Sequence, residues 1–72
     1  METGLSIAIR VNGEQRQVPA GLSVAAMLSE LGIDPKRVAV ERNLEIVPRA
    51  MLDQVTVADR DRYEIVHFVG GG

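Results

Sequence analysis

The sequence predicts an α+β roll, a mixed sheet of four to five strands packed on one main helix, in a single domain spanning residues 1–72. Three observations carry this expectation. Apolar and polar residues alternate over 5–11 and lead into Asn12-Gly13; an apolar stripe at helical spacing, flanked by cap residues, occupies 23–32; and the second half consists of short β-branched runs separated by turn residues. Strand pairs on both sides of one helix favour a mixed sheet over a doubly wound parallel one.

Leu5, Ile7, Ile9 and Val11 fall at every second position, so they would share the core-facing side of a first strand. A two-residue type I′ turn needs positive φ at both central positions, which Asn12 and Gly13 tolerate, and a hairpin is expected there. Residues 15–19 form the returning strand, and Pro19, which has no N–H to donate, puts it at a sheet edge or ends it. Ser23 is a helix N-cap whose hydroxyl can accept a first-turn N–H, with Leu22 placed to pack on Met27. The helix is expected over 24–31, carrying Val24, Met27, Leu28 and Leu31 on one stripe. Gly32 takes the left-handed position that closes it, and Asp34-Pro35 reinforces the stop. Residues 38–40 read as a third strand inside the sheet, Asn43 as a turn, 46–48 as a brief fourth strand and 50–52 as one helical turn. Residues 63–68, rich in aromatic and β-branched types, read as the last strand, followed by a tail, 69–72, expected to be flexible.

A chain of 72 residues has room for one core and buries only about 60% of the surface its unfolded form exposes. Its 46% hydrophobic content and mixed charges are those of a globular domain. Without cysteine it has no disulfide or thiolate metal site, and a reducing cytoplasm is the expected compartment. No apolar run is long enough to span a membrane and no basic leader precedes one, so a soluble protein is expected. The net charge of −2, with basic residues scattered among acids, argues against nucleic acid and anionic lipid and for another protein as partner.

Chemistry of its own is hard to build here. His67 is the single histidine, set in a strand between Val66 and Phe68, and a lone base without a pocket is not a catalytic site. A metal would need Asp59, Asp61 and His67 to converge, yet the acids alternate with Arg60 and Arg62 and read as a solvated, charge-balanced turn. The closing glycines lead into no helix, so they do not form a phosphate loop. There remains the terminal carboxylate. Gly70, Gly71 and Gly72 lack a Cβ and can pass a channel too narrow for side chains. Their carboxylate, an anion with a reference pKa of roughly 3.3–3.7, becomes an electrophile only when activated, for instance by adenylation, after which sulfur or nitrogen can attack. The protein would then be a substrate. Composition alone leaves open the plainer reading of a frayed or leftover end.

The stretches "VNGEQRQVP" (11–19), "LSVAAMLSELGI" (22–33), "VAVERN" (38–43), "IVPR" (46–49) and "DRDRYEIVHFVGGG" (59–72), in this order and spacing, resemble the sulfur carrier proteins of thiamine (thiazole) biosynthesis, the ThiS family of ubiquitin-like β-grasp proteins. The small subunit of molybdopterin synthase, a related carrier with a Gly-Gly end, is a close alternative; "VNGE", "VAVERN" and "IVHFVGG" favour the thiamine branch. The resemblance implies a β-grasp roll with no catalytic residue, metal or cofactor of its own. A ThiF-type, E1-like adenylyltransferase would use ATP and magnesium to adenylate Gly72. Sulfur drawn from cysteine through a cysteine desulfurase would convert it to a thiocarboxylate, and a ThiG-type thiazole synthase would accept that sulfur. Gly72 would bear the modification, while Gly71, Gly70, Val69 and Phe68 would form the tail and help dock it. This sequence departs from the family pattern at Asn43-Leu44, where Asn-Gly is usual, and at Asp59-Arg60-Asp61, where Asp-Gly-Asp is common, so Asn43 is expected to adopt the left-handed conformation itself. Two other readings compete: a module that binds partners non-covalently through a patch including Val66, Phe68 or Val69, and a modifier joined to lysines by an isopeptide bond.

Overall fold

In the computed structural model, which describes residues 5–69, β1 (Ser6–Val11) and β2 (Glu14–Pro19) form the first hairpin. Helix α1 (Val24–Glu30) follows, then a 3-10 turn (Pro35–Arg37), β3 (Val38–Arg42), β4 (Glu45–Val47), a second 3-10 turn (Arg49–Met51) and β5 (Arg62–His67). The five strands lie in the order β2-β1-β5-β3-β4. The β1–β5 pair is parallel and the other three are antiparallel, so the sheet is mixed, as expected. The last strand in sequence is thus the middle strand in space.

Local signals shaped the first half. Asn12 and Gly13 take φ of 50° and 85° between the paired Val11 and Glu14, the hairpin turn their side chains permit. Strand β2 is an edge and ends at Pro19, which has no N–H to offer a further neighbour. The Ser23 hydroxyl accepts the Ala26 N–H at 3.0 Å and so satisfies one of the helix's free donors. At the other end Leu31 is the cap residue rather than the last helical one. Gly32, at φ 80°, donates to the Ser29 carbonyl and Ile33 donates to the Leu28 carbonyl, which closes the helix one residue earlier than the apolar stripe suggests.

Val24, Met27 and Leu28 bury their stripe against Ile9, Val18, Val40, Tyr63 and Ile65. Each fully buried side chain of this size contributes about 1.5–3 kcal/mol. Leu5 does not join them: it is 81% exposed, because the ladder begins at Ser6 and Leu5 stands at the hairpin's open end beside Pro19. The remaining differences are shifts of a residue or two. Strand β3 runs on to Arg42, β4 stops before Pro48, the second 3-10 turn starts at Arg49, and β5 covers Arg62–His67.

The β3–β4 turn holds both Asn43 (φ 51°) and Leu44 (φ 72°) in left-handed conformation. The expectation for Asn43 is met, and Leu44 shares the strain. A side chain there costs about 1–2 kcal/mol, whereas glycine gives back about 0.5–1 kcal/mol in unfolded-chain entropy. Leu44 is 87% exposed and contributes no core contact to offset this. Leu44→Gly is therefore expected to stabilise the domain by about 0.5–1 kcal/mol, read as a higher urea midpoint at unchanged slope. A lower midpoint would mean that Leu44 makes contacts that matter more than its backbone.

Candidate functional site: the exit of the central strand

Strand β5 sends Tyr63 and Ile65 into the core, so Glu64 and Val66 face outward, and Phe68 continues that alternation one residue past the strand. Two loops meet at this exit. The Phe68 N–H donates to the Arg37 carbonyl at 2.9 Å, the Arg49 guanidinium lies 5.5 Å from the centre of the Phe68 ring, and Arg49 Nη1 donates to the Lys36 carbonyl at 3.1 Å. Exposed Phe68 is thereby held in place, and Val69 after it is 94% exposed. Of the predicted site residues, the structure brings Phe68 and Val69 to this exit; Gly70, Gly71 and Gly72 lie outside the described residues.

The middle position of β5 is secured by the two hairpin asparagines. Where β1 turns away, the Asn12 side chain takes over its pairing: Oδ1 accepts the Ile65 N–H at 2.7 Å and Nδ2 donates to the Ile65 carbonyl at 3.1 Å. On the other flank, Asn43 Oδ1 accepts the Arg62 N–H at 2.9 Å. The sequence marks both residues as turn formers. Their side-chain partners on β5 lie 53 and 19 residues further along the chain, where no local pattern points.

The charged stretch before β5 corrects an expectation. Asp61 is not a solvated turn residue; it is 5% exposed. Its Oδ2 accepts the Tyr63 hydroxyl at 2.8 Å, Arg42 Nε at 2.8 Å and the Ala58 N–H at 2.9 Å, while Oδ1 accepts Asn43 Nδ2 at 3.0 Å. The reason is that four donors from three segments surround one carboxylate, which offsets the cost of removing it from water. Burial alone would raise its pKa, but the Ala58 N–H, Arg42, Asn43 and Tyr63 outweigh burial and hold the carboxyl below its ordinary value. Burial and then the adjacent carboxylate push the Tyr63 phenol well above its own. Asp59 is more open, yet its Oδ1 accepts the Ala8 N–H at 2.9 Å, and Arg60, at φ 72°, takes the left-handed position where the family pattern has glycine. His67 is exposed and paired only through its backbone to Val38. Among the described residues no group of three or more His, Cys, Asp or Glu side chains could hold a metal ion, and no helix is long and apolar enough to cross a membrane.

With this geometry in view, the comparison with known proteins is decisive: the model of the ThiS family matches residues 9–72. The chain belongs to the ThiS family. A thiazole synthase of Paramagnetospirillum magneticum is 56% identical over 62 residues, covering 86% of this chain and 19% of that relative. This chain therefore spans about a fifth of that relative's length. The sulfur carrier protein ThiS of Bacillus subtilis is 44% identical over 50 residues, covering 69% of this chain and 76% of its own. In three dimensions the chain is similar to the crystal structure of the thiamine biosynthesis protein ThiS from Geobacter metallireducens, with a TM-score of 0.76, 37% identity and coverage of 92% of this chain and all of that one. A designed protein based on human erythrocytic ubiquitin aligns with a TM-score of 0.53 at 13% identity, over 93% of this chain and 95% of its own, a likeness of fold alone. The α+β roll is thus a ubiquitin-like β-grasp, in keeping with the ThiS family.

Proposed function

We propose that this chain is a sulfur carrier of thiamine biosynthesis and that Gly72 is the residue that carries the sulfur. The observation that bears most of this reading is the family match, which runs through the closing glycines to residue 72; the exit geometry is its structural complement. Phe68 is fixed by a backbone bond and a cation–π contact, so the described chain leaves the sheet at a defined point. Having no Cβ, Gly70, Gly71 and Gly72 suit a narrow active-site channel. A carboxylate oxygen of Gly72 attacks the α-phosphorus of ATP on an E1-like adenylyltransferase, which also binds the magnesium, and pyrophosphate leaves. A persulfide, formed from cysteine by a desulfurase, then displaces AMP to give an acyl disulfide, and a thiol reductant cleaves its S–S bond to leave a thiocarboxylate. The chain is a co-substrate throughout and contributes no catalytic side chain.

Thiazole synthase is the proposed acceptor of this sulfur. The reading is supported by a relative in which the matching region makes up about a fifth of a chain that carries that name. The lack of cysteine fits a reducing cytoplasm, the proposed compartment.

The test is the intact mass of the protein isolated from its own organism, before and after incubation with that organism's adenylyltransferase, ATP, magnesium, cysteine, desulfurase and a thiol reductant. The expected result is a chain ending at Gly72 that exchanges one oxygen for sulfur, mapped to Gly72 by fragmentation. An unchanged mass, with the enzyme active on another carrier, would favour the non-covalent binding module. That second reading draws on the exposed Val66, Phe68 and Val69, and it expects partner binding to persist when the tail is removed.

A further inference from the structure

Asn12 has two roles in the first hairpin. Its backbone, at φ 50°, turns β1 into β2. Its side-chain amide continues the β1–β5 ladder beyond Arg10 with Arg62 and Val11 with Tyr63, the pairs that the backbones register. Both halves of that amide are engaged on Ile65, Oδ1 with the N–H at 2.7 Å and Nδ2 with the carbonyl at 3.1 Å. The next residue is Gly13, whose nitrogen is crowded by no side chain of its own. Among the described residues the Gly13 N–H has no backbone acceptor, and the space where a Cβ would stand is open. Asn43 is an internal comparison. Its φ of 51° is nearly the same and its amide is also anchored, to the Arg62 N–H and to Asp61, but the branched Leu44 follows it.

We propose that Asn12 and Gly13 form a self-modification site guarded by β5. The Gly13 nitrogen attacks the Asn12 side-chain carbonyl carbon. A new N–C bond forms, the Cγ–Nδ2 bond breaks, ammonia leaves carrying the former Gly13 N–H proton, and a cyclic imide remains. Water then opens the imide at either carbonyl, giving an aspartate in the original linkage or a β-linked isoaspartate. The two bonds to Ile65 hold the amide toward β5, so ring closure waits until β5 parts from β1. The native rate is then the rate of a free peptide multiplied by the fraction of time this seam is open. The mark is one-way. The product carboxylate still accepts the Ile65 N–H, but its second oxygen has no hydrogen for the Ile65 carbonyl, and two acceptors face each other there. The β-linked form also adds a backbone carbon to a turn whose two-residue length fixes the pairing of Val11 with Glu14. A chain whose central strand opens often enough to be modified therefore keeps a looser seam afterwards. This inference does not depend on the carrier reading.

The test holds the full chain at mildly alkaline pH and physiological temperature and samples it over days. Trypsin, cutting after Arg10 and Arg16, releases Val11–Arg16, in which chromatography and fragmentation resolve the amide-to-acid mass gain and the two linkages. The same stretch as a synthetic peptide, and the parent chain in unfolding urea, give the unguarded rate. The native parent is expected to be modified at Asn12 about tenfold more slowly than either, or slower still. Tyr63→Phe, which frees β5 from its bond to Asp61, should fall between. Asn43 should lag behind Asn12 in the unfolded chain, because Leu44 crowds the attacking nitrogen. A native rate equal to the peptide's would show that β5 guards nothing, and an unfolded chain modified equally at Asn12 and Asn43 would remove the site. Asn12→Asp reads the consequence. Hydrogen exchange at the Ile65 amide is expected to be about tenfold faster in this variant than in the parent, with a lower urea midpoint. Parental exchange at Ile65 would overturn the one-way mark.

Discussion

Replacing Asp61 by alanine is expected to cost about 3 kcal/mol of stability, the scale of breaking a buried, hydrogen-bonded ion pair. Domains retain roughly 0.05–0.15 kcal/mol per residue, so this is a large part of the whole, and a sizeable unfolded fraction is expected at physiological temperature. The loss comes from stranded partners. The buried Tyr63 hydroxyl, the Ala58 N–H and Asn43 Nδ2 each lose an acceptor, while Arg42, its side chain 30% exposed, recovers part of its share from water. The same network sets the pH dependence. Because the Asp61 carboxyl is held below its ordinary value, its contribution is complete above about pH 4 and disappears as pH falls through the lower folded value. The Tyr63 phenol is shifted upward, so its contribution is complete below about pH 10 and is lost as pH rises beyond that. Urea midpoints measured across pH should therefore slope downward at both extremes, with the acid slope absent in Asp61→Asn and the alkaline slope absent in Tyr63→Phe. A midpoint for Asp61→Ala close to the parent's would show that water replaces the carboxylate at little cost.

Deleting Gly72, or adding a single residue after it, is expected to abolish the sulfur-for-oxygen mass shift while leaving the thermal transition where it was. The proposed activation acts on a free glycine carboxylate. An added residue converts that carboxylate into an amide, and a deletion withdraws it by one residue, about 3.5 Å of extended chain, enough to lose in-line geometry with the α-phosphate. Folding should not notice, because the last backbone bond of the described chain is the one from Phe68 to Arg37. Intact mass and circular dichroism on the same samples read both halves of the expectation. Full thiocarboxylate formation on an extended chain would remove Gly72 from its proposed role.

Much of this fold is legible where cause and effect are neighbours in sequence. Asn12-Gly13 dictates its own hairpin, Ser23 caps the helix that follows it, and Gly32 closes that helix through bonds spanning only a few residues. Asp61 is illegible for the opposite reason. Between Arg60 and Arg62 it has the local signature of a hydrated turn, and its burial depends on Arg42 and Asn43, brought to it only by the β3–β5 pairing. Leu5 misleads by continuing an alternation past the point where the ladder starts. Within the candidate site, the exposure of Phe68 and Val69 follows from their place at the end of a strand. The hold on Phe68 does not, since the Arg37 carbonyl and the Arg49 guanidinium come from two separate loops, and the chemistry proposed for Gly72 was readable only through the resemblance of the whole chain.

The place of β5 between the two hairpins also matters for how the protein is made. The β1–β2 and β3–β4 pairs share no ladder with each other; every sheet bond between them passes through residues 62–67. A chain that stops short of these residues is left with two half-sheets, each with a bare inner edge and half a core, and closing them requires contacts spanning some fifty residues. A chain released early would be left with sticky edges and exposed to proteases. Only a chain that includes β5 yields a closed sheet, so the segment that leads to the proposed carrier tail is also the one that completes folding, and a prematurely terminated copy has no finished surface to offer the proposed partner enzymes.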